Sequence, residues 1–289
     1  MSQGVRAAGV VKRKLLQERT WLASAIFIVL VVGAIAGAES AKAAAPDKPL
    51  RIAAAADLQP VLPPILEAFK KATGVSAEAT YQASATLTAQ IQNGAPFDLF
   101  LSADLSYPKR LIEAGVADSA GLRNATGSAA PSPITYARGT LVLWARKDSR
   151  WPNPSLGTLR DPELKRLAIA NPERAPYGRA AMAAIASLKL NDLLKQKLIT
   201  AENISQAAQF AESGNADAGL ISLTLAKTAH LAAIGNYFLI PAALYPPIDQ
   251  GAVVMSHSAQ RENARKFLEF LLSRQVQQQL SQSGLTPVK

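Results

Sequence analysis

From about residue 48 onward, short apolar runs alternate with helix-length stretches whose apolar residues recur at helical spacing. The runs predict strands at Leu50 to Ala56, Ser76 to Tyr81, Asp98 to Ser102, Ile134 to Ala145, Leu167 to Asn171, Asp217 to Ser222, Tyr237 to Ile240 and Ala252 to Ser256. The clearest helices are Leu58 to Ala72, stopped by Thr73-Gly74, then Tyr177 to Leu188, Ser205 to Ser213, stopped by Gly214, and Asn263 to Leu272. Further helices fill most of the gaps. Strands alternating with helices mark an α/β protein with mostly parallel sheets flanked by helices.

Two polar, proline-containing segments interrupt the alternation: "NATGSAAPSP" (124–133) and "PAALYPPIDQG" (241–251). A chain that builds one lobe, leaves to build a second and then returns crosses twice at such places. That predicts one lobe from 46–133 plus 246–289 and another from 134–245. The N-terminus has a different pattern. Arg6, Lys12, Arg13, Lys14 and Arg19 precede an apolar run from Trp21 to Ala38, and the small-residue tract "AKAAAPD" follows. This is the layout of a secretory signal peptide cleaved after Ala41-x-Ala43, so residues 1–43 are expected to be removed on export and the mature chain to be periplasmic. The run is near the shortest that spans a bilayer, and an uncleaved anchor would leave the same domain outside the membrane.

Composition then narrows the chemistry. The chain has no cysteine, which removes disulfides, thiolate metal sites, cysteine nucleophiles and a lipid-modified N-terminal cysteine. The formal charge of +10 falls to +6 once residues 1–45, with six Lys or Arg against two Glu, are set aside. The remaining basic residues are scattered along helices such as "LLKQKL", and aromatics make up 6% of the chain, so no nucleic-acid partner is expected. Mild attraction of small anions remains. Only His230 and His257 offer an imidazole base. No Gly-x-Ser-x-Gly elbow accompanies them and they lack metal-ligand spacing, so an enzyme is not expected and a serine-dependent hydrolase is a remote alternative.

The chemistry that remains lies at strand-to-helix junctions: Ala56-Asp57 after the first strand, Ser84 in "YQASATL", and Tyr177-Gly178 in "NPERAPYGRAA". Ligands of open α/β sheets bind beyond the carboxyl ends of the strands, where helix N-termini offer free N–H groups to an anion. With Pro60 placed in the first helical turn, Asp57 reads as an N-cap whose carboxylate folds back onto its own helix.

The run "AAAADL…F…TGV…Y.AS.TL..QI..GAPFDLFLSAD" (53–104), with "NPERAPYG", "GNADAGLIS" and the closing "GLTP", resembles the periplasmic molybdate-binding proteins of ABC transporters over nearly all of residues 50–286. The resemblance implies a two-lobed type II periplasmic-binding-protein fold that closes around molybdate or tungstate. The anion would be held by hydroxyls and backbone amides, with no direct protein ligand to the molybdenum and no cofactor. It further implies delivery to an inner-membrane permease by a protein expected to be monomeric. Carried over by position, it assigns ligand contacts to Ala56, Asp57, Ser84, Tyr177 and Ile204, and a weaker one to Ser222, which stands where the family has a late tyrosine. A carboxylate at position 57 departs from the pattern. It keeps open the same fold binding another oxyanion, phosphate or sulfate, or a small organic acid.

Overall fold

The computed structural model describes residues 48–119, 121–122 and 132–287. The expected signal peptide (1–43) and most of segment 124–133 lie outside the described residues. The chain runs β1 (Leu50–Ala55), a 3-10 turn (Ala56–Leu58), α1 (Leu62–Thr73), β2 (Ala77–Gln82), α2 (Ser84–Gln92), β3 (Leu99–Ser102), α3 (Ser106–Glu113) and β4 (Ala117–Asp118). It continues through β5 (Ile134–Gly139), β6 (Leu141–Arg146), β7 (Leu167–Ala170), α4 (Pro176–Ser187), α5 (Asn191–Leu194), β8 (Leu198–Ala201), α6 (Ile204–Glu212) and β9 (Ala218–Ser222). The last part comprises α7 (Leu223–Ala226), α8 (Ala229–Ile234), β10 (Gly235–Leu239), β11 (Ile248–Met255), α9 (Arg261–Leu271), α10 (Arg274–Gln282) and β12 (Thr286–Pro287).

These strands form two sheets, and both are mixed. The first has the order β12-β5-β11-β3-β1-β2 with β4 alongside β11, and the second β10-β6-β9-β7-β8. Only β1–β2 and β1–β3 pair in parallel in the first sheet, and only β7–β8 and β7–β9 in the second. The expectation of mostly parallel sheets is thus corrected. The strands that carry the chain between lobes, β5, β6 and β11, all pair antiparallel. A strand that enters a sheet from the other lobe has no crossover helix to reverse its direction.

The predicted strand Ile134 to Ala145 is two strands in two different sheets. β5 lies against β11 in the first sheet and β6 against β9 in the second, so the chain changes sheet at Thr140 rather than before Ile134. Thr140 O accepts from Leu223 N (2.9 Å) and Leu141 N donates to Tyr245 Oη (3.1 Å), which stitches the crossing to the second lobe. The return runs between Ile240, whose N–H donates to Leu141 O (3.1 Å), and Ile248, which pairs with Gly139. The outgoing and returning chains therefore lie side by side.

The helix expected from Leu58 to Ala72 begins instead at Leu62, after the separate 3-10 turn. Pro63 and Pro64 explain the break, because neither has an N–H to donate to the carbonyl four residues back and both are tolerated only in a first turn. Pro60 falls in the turn between the two elements. Gly74, at φ 76°, closes α1 as a left-handed cap.

Each lobe buries its own apolar faces, with Phe69, Phe267 and Leu268 in the first and Trp144, Leu143 and Ile185 in the second. Ala55, Ala56, Ala83 and Ala103 of the first lobe are buried against the core of the second. Four methyl-sized side chains at the lobe boundary let the two backbones come close together. Gly178 does the same inside the second lobe. A Cβ there would run into the carbonyl oxygen of Ala170 at the end of β7, so only glycine lets α4 start against that strand. Gly178→Ala is expected to displace the start of α4 and cost about 1–3 kcal/mol of stability, measured by urea unfolding. Unchanged stability would mean that the contact relaxes freely.

Candidate functional site

Where the lobes meet, strand-to-helix junctions surround a small, narrow cleft. The first lobe supplies Ala55, Ala56 and Asp57 after β1, Gln82, Ala83 and Ser84 after β2, and Ala103 after β3. The second supplies Ala175, Pro176 and Tyr177 at the start of α4, and Asn203 and Ile204 at the start of α6. Among the described residues no Lys, Arg or His lines the cleft. Three helices of nine or more residues, α2, α4 and α6, thus begin at its wall. Their first-turn N–H groups have no acceptor within their own helices and carry the positive end of the dipole. The arrangement suits a small oxyanion met by neutral donors.

Ser84 is 1% exposed and opens α2. Its Oγ accepts from Ala103 N at 3.1 Å. That fixes the oxygen with one lone pair and leaves the O–H without an acceptor among the described residues. Ile204 opens α6 after Asn203, whose side chain caps the helix by accepting from Gln206 N at 3.0 Å. Ala56 is tied across the lobes by its carbonyl, which accepts from Ser205 Oγ (3.0 Å). Five of the six residues singled out from sequence, Ala56, Asp57, Ser84, Tyr177 and Ile204, therefore line one cleft.

Ser222 does not. It caps α7, accepting from Leu225 N at 3.4 Å, and its Oγ pairs with Thr224 Oγ1 at 2.9 Å. Its neighbour Thr224 reaches the site region instead, donating to Asp57 O at 2.8 Å.

The reading of Asp57 as an N-cap is overturned. Asp57 lies within the 3-10 turn, whose N-cap is Ala55, and no side-chain cap bond is made there. The carboxylate reaches away from its own helix, and Oδ2 accepts from Tyr177 Oη (3.0 Å) and from Gln250 Nε2 (2.5 Å). Oδ1 is buried and accepts no hydrogen bond from another described residue, and Gln250 Oε1 is likewise buried without a donor among them. Long-range donors override local capping here because residues 120 and 193 positions away arrive with correct geometry. The Tyr177 phenol is committed to Asp57, which leaves the Tyr177 backbone N–H for the cleft.

Two features put those donors in place. Gly139 lies under the Tyr177 phenol, where a Cβ would collide with the ring oxygen. The β5–β11 register shifts between Gln250 and Gly251, where Tyr136 is an extra residue on β5, and the fully buried Gln250 amide reaches Asp57 beside this bulge. Sequence reasoning missed Gln250, and its only signal is a lone amide in the apolar strand "QGAVVM".

Burial raises the Asp57 carboxyl from its ordinary 3.8 to about 6, opposed in part by the bonds from Gln250 and Tyr177. Burial also pushes the Tyr177 and Tyr136 phenols well above their ordinary range, with the Asp57 charge adding to the effect. Outside the cleft, Arg179 of α4 forms an ion pair with Asp104, and its Nη1 donates to Tyr107 Oη (3.0 Å). Ala85 N donates to Arg174 O (3.1 Å), another bond from one lobe to the other.

With this geometry in place, the chain matches the bacterial extracellular solute-binding protein family over residues 50–286. It belongs to that family, whose members bind solutes and are not enzymes. It is 34% identical over 222 residues to the molybdate-binding protein ModA of Azotobacter vinelandii, covering 77% of this chain and 83% of that one. To ModA of Rhodobacter capsulatus it is 36% identical over 205 residues, 70% of this chain and 74% of the other. Among solved structures, the Azotobacter vinelandii periplasmic molybdate-binding protein superposes with a TM-score of 0.74 at 29% identity, covering 83% of this chain and all of that one. The fold is the two-lobed type II periplasmic-binding-protein fold that the sequence resemblance implied.

A folded-state pKa above the unfolded one means that Asp57 contributes stability below about pH 4, and that this is lost as pH rises through about 6. Asp57→Asn keeps the shape and removes the charge. Ligand-free Asp57→Asn is expected to be about 1–3 kcal/mol more stable than the wild type at pH 8 and nearly equal to it at pH 4, read from urea unfolding at both values. A variant less stable than wild type at pH 8 would mean that the buried charge stabilises the fold.

Proposed function

We propose that this protein is the periplasmic receptor of an ABC transporter, capturing molybdate, and tungstate with it, between its lobes. The observation that carries the reading is the convergence of the α2, α4 and α6 N-termini and the Ser84 hydroxyl on one small cleft that no cationic side chain lines among the described residues. Such a cleft holds a fully ionised tetrahedral oxyanion through N–H and O–H donors. The names of the relatives, molybdate-binding proteins, point to the same anion. Within this reading Ser84 donates its hydroxyl, Ile204 and Tyr177 donate backbone N–H groups, and Ala56 and Asp57 close the wall of the first lobe. Ser222 has no part. Residues 1–43 direct export, and the mature protein works in the periplasm as a monomer. Its lobes comprise 46 to about 139 with 246–289, and about 141 to 245.

Function on this reading is a closure equilibrium. The anion touches both lobes only when they are together, so it favours the closed form, and that form docks on the membrane permease. Sulfate, with shorter bonds, reaches fewer donors at once and is discriminated against by size.

Calorimetric titration of the protein from residue 46 onward with molybdate, tungstate, sulfate and phosphate tests the reading. Tight binding of the first two and weak binding of the others is expected, and equal affinity for sulfate or phosphate would overturn it. Ser84→Ala is expected to weaken molybdate binding by about 1.5–3 kcal/mol, the worth of a hydrogen bond to a charged group. Unchanged affinity would remove Ser84 from the site.

A further inference from the structure

We propose that oxyanion binding in this cleft takes up one proton, held on Oδ1 of Asp57, so that the carboxyl enters the complex as a neutral hydrogen-bond donor to the anion. The inference rests on the oxyanion reading above. Asp57 lines the cleft and is fully buried, and its two oxygens are unlike. Oδ2 receives two donors, Tyr177 Oη and Gln250 Nε2, while Oδ1 is buried without a donor from another described residue. The proton therefore belongs on Oδ1, where it displaces no existing bond. Once there, it meets no acceptor in the arrangement described, because the unpaired Gln250 Oε1 belongs to the amide whose Nε2 is held on Oδ2, and an oxyanion oxygen in the cleft is the acceptor proposed. In the ionised state the converse holds: Oδ1 is an acceptor without a donor from another described residue, on a side chain that lines the cleft.

The groups packed around Asp57 leave no other way to remove the charge. Tyr177 faces it from α4, Tyr136 from β5, Gln250 from β11 and Thr224 from α7, and Tyr245 lies beyond Tyr177. None of them is cationic, and the buried phenols beside Asp57 hold their protons well past neutrality. Burial has already brought the carboxyl to about 6, so the proton is available near neutral pH. The reaction balances simply: one H⁺ leaves solvent, one O–H bond forms on Asp57, and no bond of the oxyanion breaks.

The test is isothermal titration with sodium molybdate at several pH values from 6 to 8.5, in two sulfonate buffers of different ionisation enthalpy. Wild type is expected to take up close to one proton per molybdate at pH 8, and its affinity to fall roughly tenfold per pH unit above about pH 6. Asp57→Asn is expected to bind with no proton uptake and a flat pH profile, at least as tightly as wild type at pH 8. Tyr177→Phe, which removes one bond to Oδ2, is expected to move the onset of the decline to higher pH. Wild-type binding without proton uptake would overturn the proposal and leave the molybdate reading intact. So would a folded Asp57→Asn that binds at no pH, because the carboxylate would then act as an ionised acceptor. Failure of wild type to bind molybdate, tungstate, sulfate or phosphate at any pH would sink the oxyanion reading, and the proton with it.

Discussion

Asp57 holds the centre of this molecule. Its carboxylate sits at the end of β1, in the first lobe, and takes its hydrogen bonds from Tyr177 of the second lobe and from Gln250 on β11, the strand by which the chain returns. Several oddities of sequence become necessary once that bond pair is fixed. Gly139 must lack a side chain for the Tyr177 phenol to pass, Gly178 must lack one for α4 to start where Tyr177 points inward, and β5 bulges at Tyr136 where it pairs with Gln250 and Gly251. The small residues Ala55, Ala56, Ala83 and Ala103 let the lobes approach to that distance. A buried ionised group without a cationic partner is costly, and two donors on one oxygen offset only part of that cost.

The same contacts set how firmly the two lobes are held together. The lobes are held together by the Asp57 cluster, by Thr224 on Asp57 O, by Ser205 on Ala56 O, and by the Arg179 pair with Asp104 at the rim. The rim ion pair is partly exposed, with side chains 41% and 16% accessible, and surface pairs of this kind contribute little. The weight of closure rests on the buried hydrogen bonds. A ligand shifts such an equilibrium only by contacts absent from the open form, and on the proposed reading its bonds to both lobes would add to a set of interlobe bonds that exist without it.

Much of this was legible in the chain. The strand-to-helix junctions, the family blocks and the positions of Ala56, Ser84, Tyr177 and Ile204 all follow from local pattern and motif, because helix starts are encoded within a few residues. What stayed hidden was where side chains go when their partners are distant. Asp57 followed by Pro60 looks like a cap, yet donors 120 and 193 residues away decide its direction. Gln250 gave no warning, since one amide in an apolar strand has no partner until the fold supplies it. The break between β5 and β6 was hidden for a similar reason. Both halves are apolar and strand-like, and the change of sheet at Thr140 is set by which partners, β11 or β9, each half meets.

The charge of Asp57 decides what the cleft can hold. A carboxylate and a dianion about 4 Å apart repel by about 8 kcal/mol at an effective dielectric constant of about 20. Protonating a carboxyl of pKa about 6 at pH 7 costs only about 1.4 kcal/mol. The neutral form prevails by several kcal/mol whenever a dianion enters, and it exchanges a repulsion for a hydrogen bond. A hydroxyl at position 57 would also donate, without any dependence on pH. A carboxyl whose Oδ2 is pinned by Tyr177 and Gln250 makes the donor conditional on a proton. Burial, which sets the pKa near neutrality, is therefore also what would let the surroundings of the protein govern its grip on the anion.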